Sequence, residues 1–179
     1  MNIFVLHESP ETSARMMCDK HINKMVVESA QMLSTCHRML DGVEENRPSI
    51  SGKRNVRYFR LEEPDESLLY RAVHFNHPCN IWIRKTEDNY FWLYDHFMYL
   101  GEEFEYRYGK KHSTIELLGE RLCDAPRALT SSGLSDYVLA MPDKYKVLCP
   151  ITSYREFYKG DKTFAKWERG RAQPEWWND

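Results

Sequence analysis

A chain of 179 residues, 42% hydrophobic and 29% charged, is long enough to bury a core and too apolar to be disordered. No apolar run approaches the roughly 18 residues of a membrane span, and five scattered cysteines without a CxxC pair argue against a disulfide framework or a thiolate zinc site. The net charge of −2 hides a division: eight Lys or Arg meet three acidic residues between Lys144 and Arg171, leaving +5 there and −7 on the remainder. Such a division suits a local polyanion contact, and a solvated helix face accounts for it equally well.

The opening NIFVL reads as a short strand or extended segment, too short and without the basic flank of a signal peptide. Ser9 and Pro10 are an N-cap and first-turn pair for a short helix through Met17. Asp19 reads as the N-cap of a long helix over 20–40, stopped at Asp41-Gly42. Residues 41–73 carry Pro48, Gly52, Pro64 and dense charge without clear periodicity, and read as a loop-rich excursion. Asn76-His77-Pro78 is a turn feeding a helix start. Thr86 caps another long helix, about 87–106, with Tyr90, Leu93, Phe97, Leu100 and Phe104 at helical spacing, and Gly109 stops it. Further helices are expected from Ser113 or Thr114 to about Cys123 and over 151–158. The segment 144–179 forms a basic, aromatic tail. The reading is a single, mainly α domain over 1–179.

Within CDKHINKMVVESAQML, His21, Lys24, Glu28, Gln31 and Thr35 step by three or four and make one polar stripe, opposite Ile22, Met25, Val26 and Leu33. A solvated face with one Lys24–Glu28 pair would give the same pattern, and the residues alone leave both open. His77 is a candidate contact or a turn histidine satisfied by backbone. Tyr106 to His112 (YRYGKKH) mixes rings with Arg107 and Lys110, as phosphate and base contacts would, although cations at a helix C-terminus also complement its dipole. From Tyr154 to Arg171 rings and cations interleave, including Arg155, Lys159, Lys162 and Lys166. Trp176 and Trp177 read as packing. His7, His21, His77 and Glu28 lack HxH or HxxxH spacing, so neither metal nor cofactor is expected.

The pattern Asp19, Lys20, His21, Lys24, Glu28, Gln31, Met32, Leu33, with Asn76-His77-Pro78 and Trp82 beyond it, resembles the phage-type pyrimidine-dimer DNA glycosylases, the endonuclease V class, and their bacterial relatives. Small phage proteins of unassigned role share the DKH, NHP and YRYGK blocks. That resemblance implies a helical enzyme acting on DNA, with Glu28 as the catalytic carboxylate against the sugar and His21, Lys24 and Gln31 beside it. The DNA contacts would come from Asp19, Lys20, His77, Trp82, Arg84, Arg107, Lys110, Arg155, Lys159, Lys162 and Lys166. A nucleotide leaving the stack would be held by aromatics such as Trp82, Tyr90 or Trp92. In the resembled enzymes the chain's own α-amino group attacks the sugar, and its reference pKa of about 7.7–8.0 suits that role. This chain departs from them. It has extra residues before the helix, no N-terminal Thr, and Asn2 behind the initiator Met, so the amine expected is Lys20 or Lys24, or none. The competing readings are a base-hypermodification transferase on the same scaffold, a non-enzymatic nucleic-acid or host-interaction protein, and a hydrolase of free nucleosides. The compartment expected is the cytoplasm, that of the host if the chain is phage-encoded.

Overall fold

Ser9 and Pro10 start α1 (Pro10–Met16) as their chemistry dictates: Ser9 Oγ accepts from the Thr12 amide at 3.3 Å, and proline occupies a position that needs no donor. The long helix α2 (Asp19–Asp41) follows, with Ile22, Met25, Val26, Ala30, Leu33 and Cys36 withdrawn from water along one side. Its N-cap is Cys18, without a side-chain cap bond, not Asp19. Asp19 lies inside the first turn, where its carboxylate accepts from Arg107 at 2.9 Å and from the Glu168 amide at 2.7 Å. The computed structural model describes residues 1–49 and 51–178.

Residues 41–73 depart from the loop-rich expectation. They form an antiparallel hairpin of β1 (Val43–Pro48) and β2 (Asn55–Arg60), pairing Val43 with Arg60 and Pro48 with Asn55, and then α3 (Asp65–Leu68). The hairpin is mostly exposed on both faces, so its sequence lacks the apolar alternation that announces a strand. Cross-strand pairs Arg57–Glu44 and Arg60–Glu45, both 2.7 Å, stand in for an apolar face. Arg38 of α2 then anchors the whole excursion. Its buried guanidinium uses all five donors, on the carbonyls of Phe59, Glu66, Leu69 and Tyr70 and on the Glu66 carboxylate.

His77 caps α4 (Pro78–Ile83) by accepting from the Cys79 amide at 3.2 Å. Thr86 caps α5 (Glu87–Tyr108) in the same way, and Gly109 ends it at φ 68°, a conformation a side chain would resist. Short α6 (Ser113–Leu118) stops before the expected Cys123, and α7 (Pro150–Asp161) runs longer than 151–158. The architecture is mainly α: α2 and α1 both pack on α5, α4 and α6 flank α2, and one apolar cluster joins them. Among the described residues no helix is long and apolar enough to cross a membrane. The tail folds back over α1 and α7, with Trp176 buried and the Trp167 indole donating to Met16 O.

Arg107 was expected at a nucleic-acid contact and is instead internal. Fully buried, it donates to Asp19, Glu103 and the carbonyls of Met17 and Arg15. Removing one member of such a network strands the others without solvent. Arg107→Met is therefore expected to lower the unfolding free energy by about 3–5 kcal/mol in urea titrations.

Candidate functional site

The polar stripe of α2 is not a uniform solvated face. Glu28 is only 14% exposed, and its two oxygens meet two different amines: Oε1 lies 3.2 Å from Lys24 Nζ, and Oε2 lies 3.3 Å from the α-amino nitrogen of Met1. The second approach lacks hydrogen-bond alignment, so Oε2 is shut away from water without a donor of its own.

The extra residues before α2 led to Lys20 or Lys24 as the expected amine, yet Met1 itself lies against Glu28. Residues 2–6 do not pair as a strand but run through the core, with Ile3, Val5 and Leu6 fully buried. Side chains replace a ladder: Asn2 Oδ1 accepts from the amides of Ile3 and Phe4, Ser13 Oγ accepts from Leu6 N, and Arg155 donates to Leu6 O at 3.0 Å. Phe4 adopts φ 40°, rare for a residue with a side chain, and its ring stacks on His21 at 5.0 Å and Phe157 at 5.8 Å. Asn80 meets Met1 Sδ at 3.2 Å and donates to the carbonyls of Val73 and His74. Around this pair His77 is held below its ordinary pKa by burial and by the Met1 ammonium, and the buried Cys79 thiol is pushed up to about 12. Both are neutral at physiological pH.

His21 sits two turns from Glu28, about 10 Å along the helix, so it serves a different corner. Its ring is sandwiched among Phe4, Tyr158 and Phe164. Burial, and then Lys24, Lys162 and Lys20, lower its pKa to about 3, and its Nδ1 has no partner. Lys20 lies over the Phe164 ring and Lys162 over Phe157, so three cations and an uncharged imidazole share one edge of the site.

The remaining candidates fall elsewhere. Gln31 is half-buried on the stripe, and its carbonyl accepts from Thr35. Trp82, 1% exposed, gives its indole N–H to Asp136 O, and Tyr90 and Trp92 are also core, so none offers a ring to a nucleotide. Arg155 serves Leu6, Lys159 pairs with Glu156, and Lys166 pairs with Glu168. Lys110 is exposed beyond the end of α5. Arg84 is half-buried, donates to Phe75 O at 2.7 Å, and has one guanidinium nitrogen without a partner. Sequence reasoning set the α-amino group of Met1 aside and passed over Phe4 and Phe164. The available signal was the NIFVL run itself, too apolar to be a free end. Among the described residues no group of His, Cys, Asp and Glu is placed to hold a metal ion. No protein-family model, curated protein or solved structure matches the chain.

His21 binds its proton in the unfolded chain near 6.5 and in the folded protein only near 3. The unfolded state therefore takes up more protons between those values, and stability falls as pH drops through that window. His21→Phe is expected to make the slope of unfolding free energy against pH shallower between pH 6.5 and 3, measured by urea titrations at stepped pH.

Proposed function

We propose that this protein cleaves the N-glycosidic bond of a damaged or modified pyrimidine nucleotide in DNA, with the Met1 α-amino group as nucleophile and Glu28 as proton shuttle. The observation that carries this reading is the 3.3 Å approach of that amine to a buried carboxylate. Neither Lys20, over Phe164, nor Lys24, salt-bridged to Glu28 Oε1 and more than half exposed, is as enclosed.

In the reaction the ammonium first releases a proton to water. The amine lone pair then forms a bond to C1′ as the C1′–base bond breaks, and that electron pair leaves with the base, which takes a proton from solvent. Positive charge on the sugar in this step is stabilised by the Glu28 carboxylate, most effectively where water is excluded. Glu28 next accepts the surplus proton of the new ammonium and delivers it to the ring oxygen. The C1′–O4′ bond opens and a protonated imine joins Met1 to the sugar. Lys24 holds Glu28 in place on its other oxygen. Lys20 and Lys162, at the His21 edge, have no carboxylate within ion-pair distance among the described residues, and suit the flanking phosphates.

The transferase reading takes its amine from a second substrate, and an amine of the chain itself beside Glu28 favours the glycosylase reading over it.

Borohydride trapping on labelled duplexes carrying dimerised, abasic or modified pyrimidines tests the reading. The expected adduct maps to the peptide beginning at Met1, with intact mass measured to establish which residue comes first, and acetylation of the α-amino group is expected to abolish it. Glu28→Gln is expected to slow base release about 10²–10⁴-fold. No adduct, no released base and an intact strand on every substrate would sink it. In binding titrations, Lys20→Met and Lys162→Met are each expected to reduce the slope of log K against log salt by about 0.9.

A further inference from the structure

We infer that a cleft beside the β-hairpin binds an unpaired stretch of the DNA strand that reaches Glu28, so that the preferred substrate has single-stranded character next to the reacting nucleotide. The inference deepens the glycosylase reading and rests on it for the identity of the polymer.

The cleft encloses about 440 Å³ between β2 and the segment 71–75. That volume is within the range of about 300–1,000 Å³ that holds small ligands, and suits one nucleotide, not a duplex. Its floor is aromatic. Phe59 and Phe75 meet edge to face at 5.9 Å, Arg57 lies over both rings at 5.3 and 5.1 Å, and Tyr58 stands beside them under Arg47 and Arg71. Phe59 is buried, whereas Phe75 and Tyr58 keep part of their rings open.

The charge is one-sided. The hairpin over 43–60 holds five Lys or Arg against two Glu, and both Glu are already paired, Glu44 with Arg57 and Glu45 with Arg47 and Arg60. Lys53 and Arg54 at its tip end, and Arg71 across the cleft, are exposed and have no carboxylate within ion-pair distance among the described residues. Free guanidinium groups around partly open rings match an unstacked strand, whose bases offer their faces while its phosphates remain charged. A paired duplex offers the phosphates only.

The cleft is joined to the proposed reaction centre by a short strap. Val73 lines it, donates its amide to Thr35 Oγ1 at 3.1 Å and accepts at its carbonyl from Asn80, and Asn80 touches Met1. Between Val73 and Phe75, His74 holds φ 46°, a strained turn for a residue with a side chain. Thr35 is two turns of α2 beyond Glu28, about 10 Å, so the strand in the cleft and the sugar at Glu28 belong to neighbouring nucleotides.

Fluorescence anisotropy with labelled oligothymidylate and with a duplex of the same length tests this without requiring chemistry. The single strand is expected to bind at least tenfold more tightly than the duplex at matched salt. Arg54→Glu with Arg71→Glu should weaken single-strand binding at least tenfold. Phe75→Ala should weaken it about tenfold and leave duplex binding unchanged, because stacking is what it removes. Phe75→Trp, which keeps a ring, should restore it, and circular dichroism melts verify that each variant folds. Equal affinity for single strand and duplex, indifference to the arginine pair or to Phe75→Ala, or equal competition by polyglutamate would overturn the inference. Failure of borohydride trapping with the single-strand preference intact would overturn the glycosylase reaction and leave the cleft standing.

Discussion

Ile3, Val5 and Leu6 are withdrawn from water completely and Phe4 almost so, and the burial of each such side chain stabilises by roughly 1.5–3 kcal/mol. A chain end held this firmly has little freedom left. Its backbone must find donors and acceptors inside the protein, and Asn2, Ser13 and Arg155 supply them. Met1 is then carried against α2, and a charged amine there requires a carboxylate. Glu28 meets that requirement, yet an ion pair taken out of water contributes little net stability, and an apolar pair of similar volume would often fold as well. Stability alone gives the pair little purpose, and the reaction proposed above gives it a use: an amine and a carboxylate, shielded from water, 3.3 Å apart.

Charge in the C-terminal third follows the same geometry. Of the cations that interleave with rings there, Arg155 serves the N-terminal segment, Arg171 closes on Glu103, and Lys159 and Lys166 pair with neighbouring glutamates. Lys162 alone among the four lysine and arginine candidates of that segment lies at the His21 edge, where desolvation and Lys24 lower its pKa. Arg169 lies over the Tyr108 ring, so in the proposed reaction Lys162 is the cation this region brings to the His21 edge, beside Lys20 and Lys24 of α2. Lys53, Arg54 and Arg71, without an ion-pair partner among the described residues, lie on the hairpin side, away from the basic stretch of the C-terminal third.

Elements governed by local chemistry were legible. Ser9-Pro10, Thr86 and Gly109 each act through atoms within four residues, and the 3.6-residue period of α2 and α5 depends only on which side faces the core. Glu28 and Lys24 were legible for the same reason, being one turn apart. The Met1–Glu28 contact was not, because it spans 27 residues and depends on the path of an extended segment with no periodicity of its own. Trp82 and Arg107 misled in the opposite direction. A ring or a cation has the same letter whether it faces DNA or packs inside, and only the carbonyl of Asp136 and the carboxylates of Asp19 and Glu103 decide it. The hairpin escaped notice because ion pairs and a buried arginine hold it, and these leave no pattern of alternating hydrophobicity.

Three stations at equal spacing along one face of α2 give these pieces a common logic. His21 with its lysines, Glu28 with the amine, and Thr35 with the strap each lie seven residues apart, about 10 Å. In the proposed reaction, phosphates held at the first station and bases stacked beyond the third would fix the sugar between them. Contacts remote from the breaking bond then supply the positioning that a single carboxylate cannot, and hold C1′ in line with a nucleophile that is itself immobile. A rigid amine tolerates little error in how the sugar is presented. That intolerance explains why a site with one acid and one amine would need a long polar stripe and a cleft at its end.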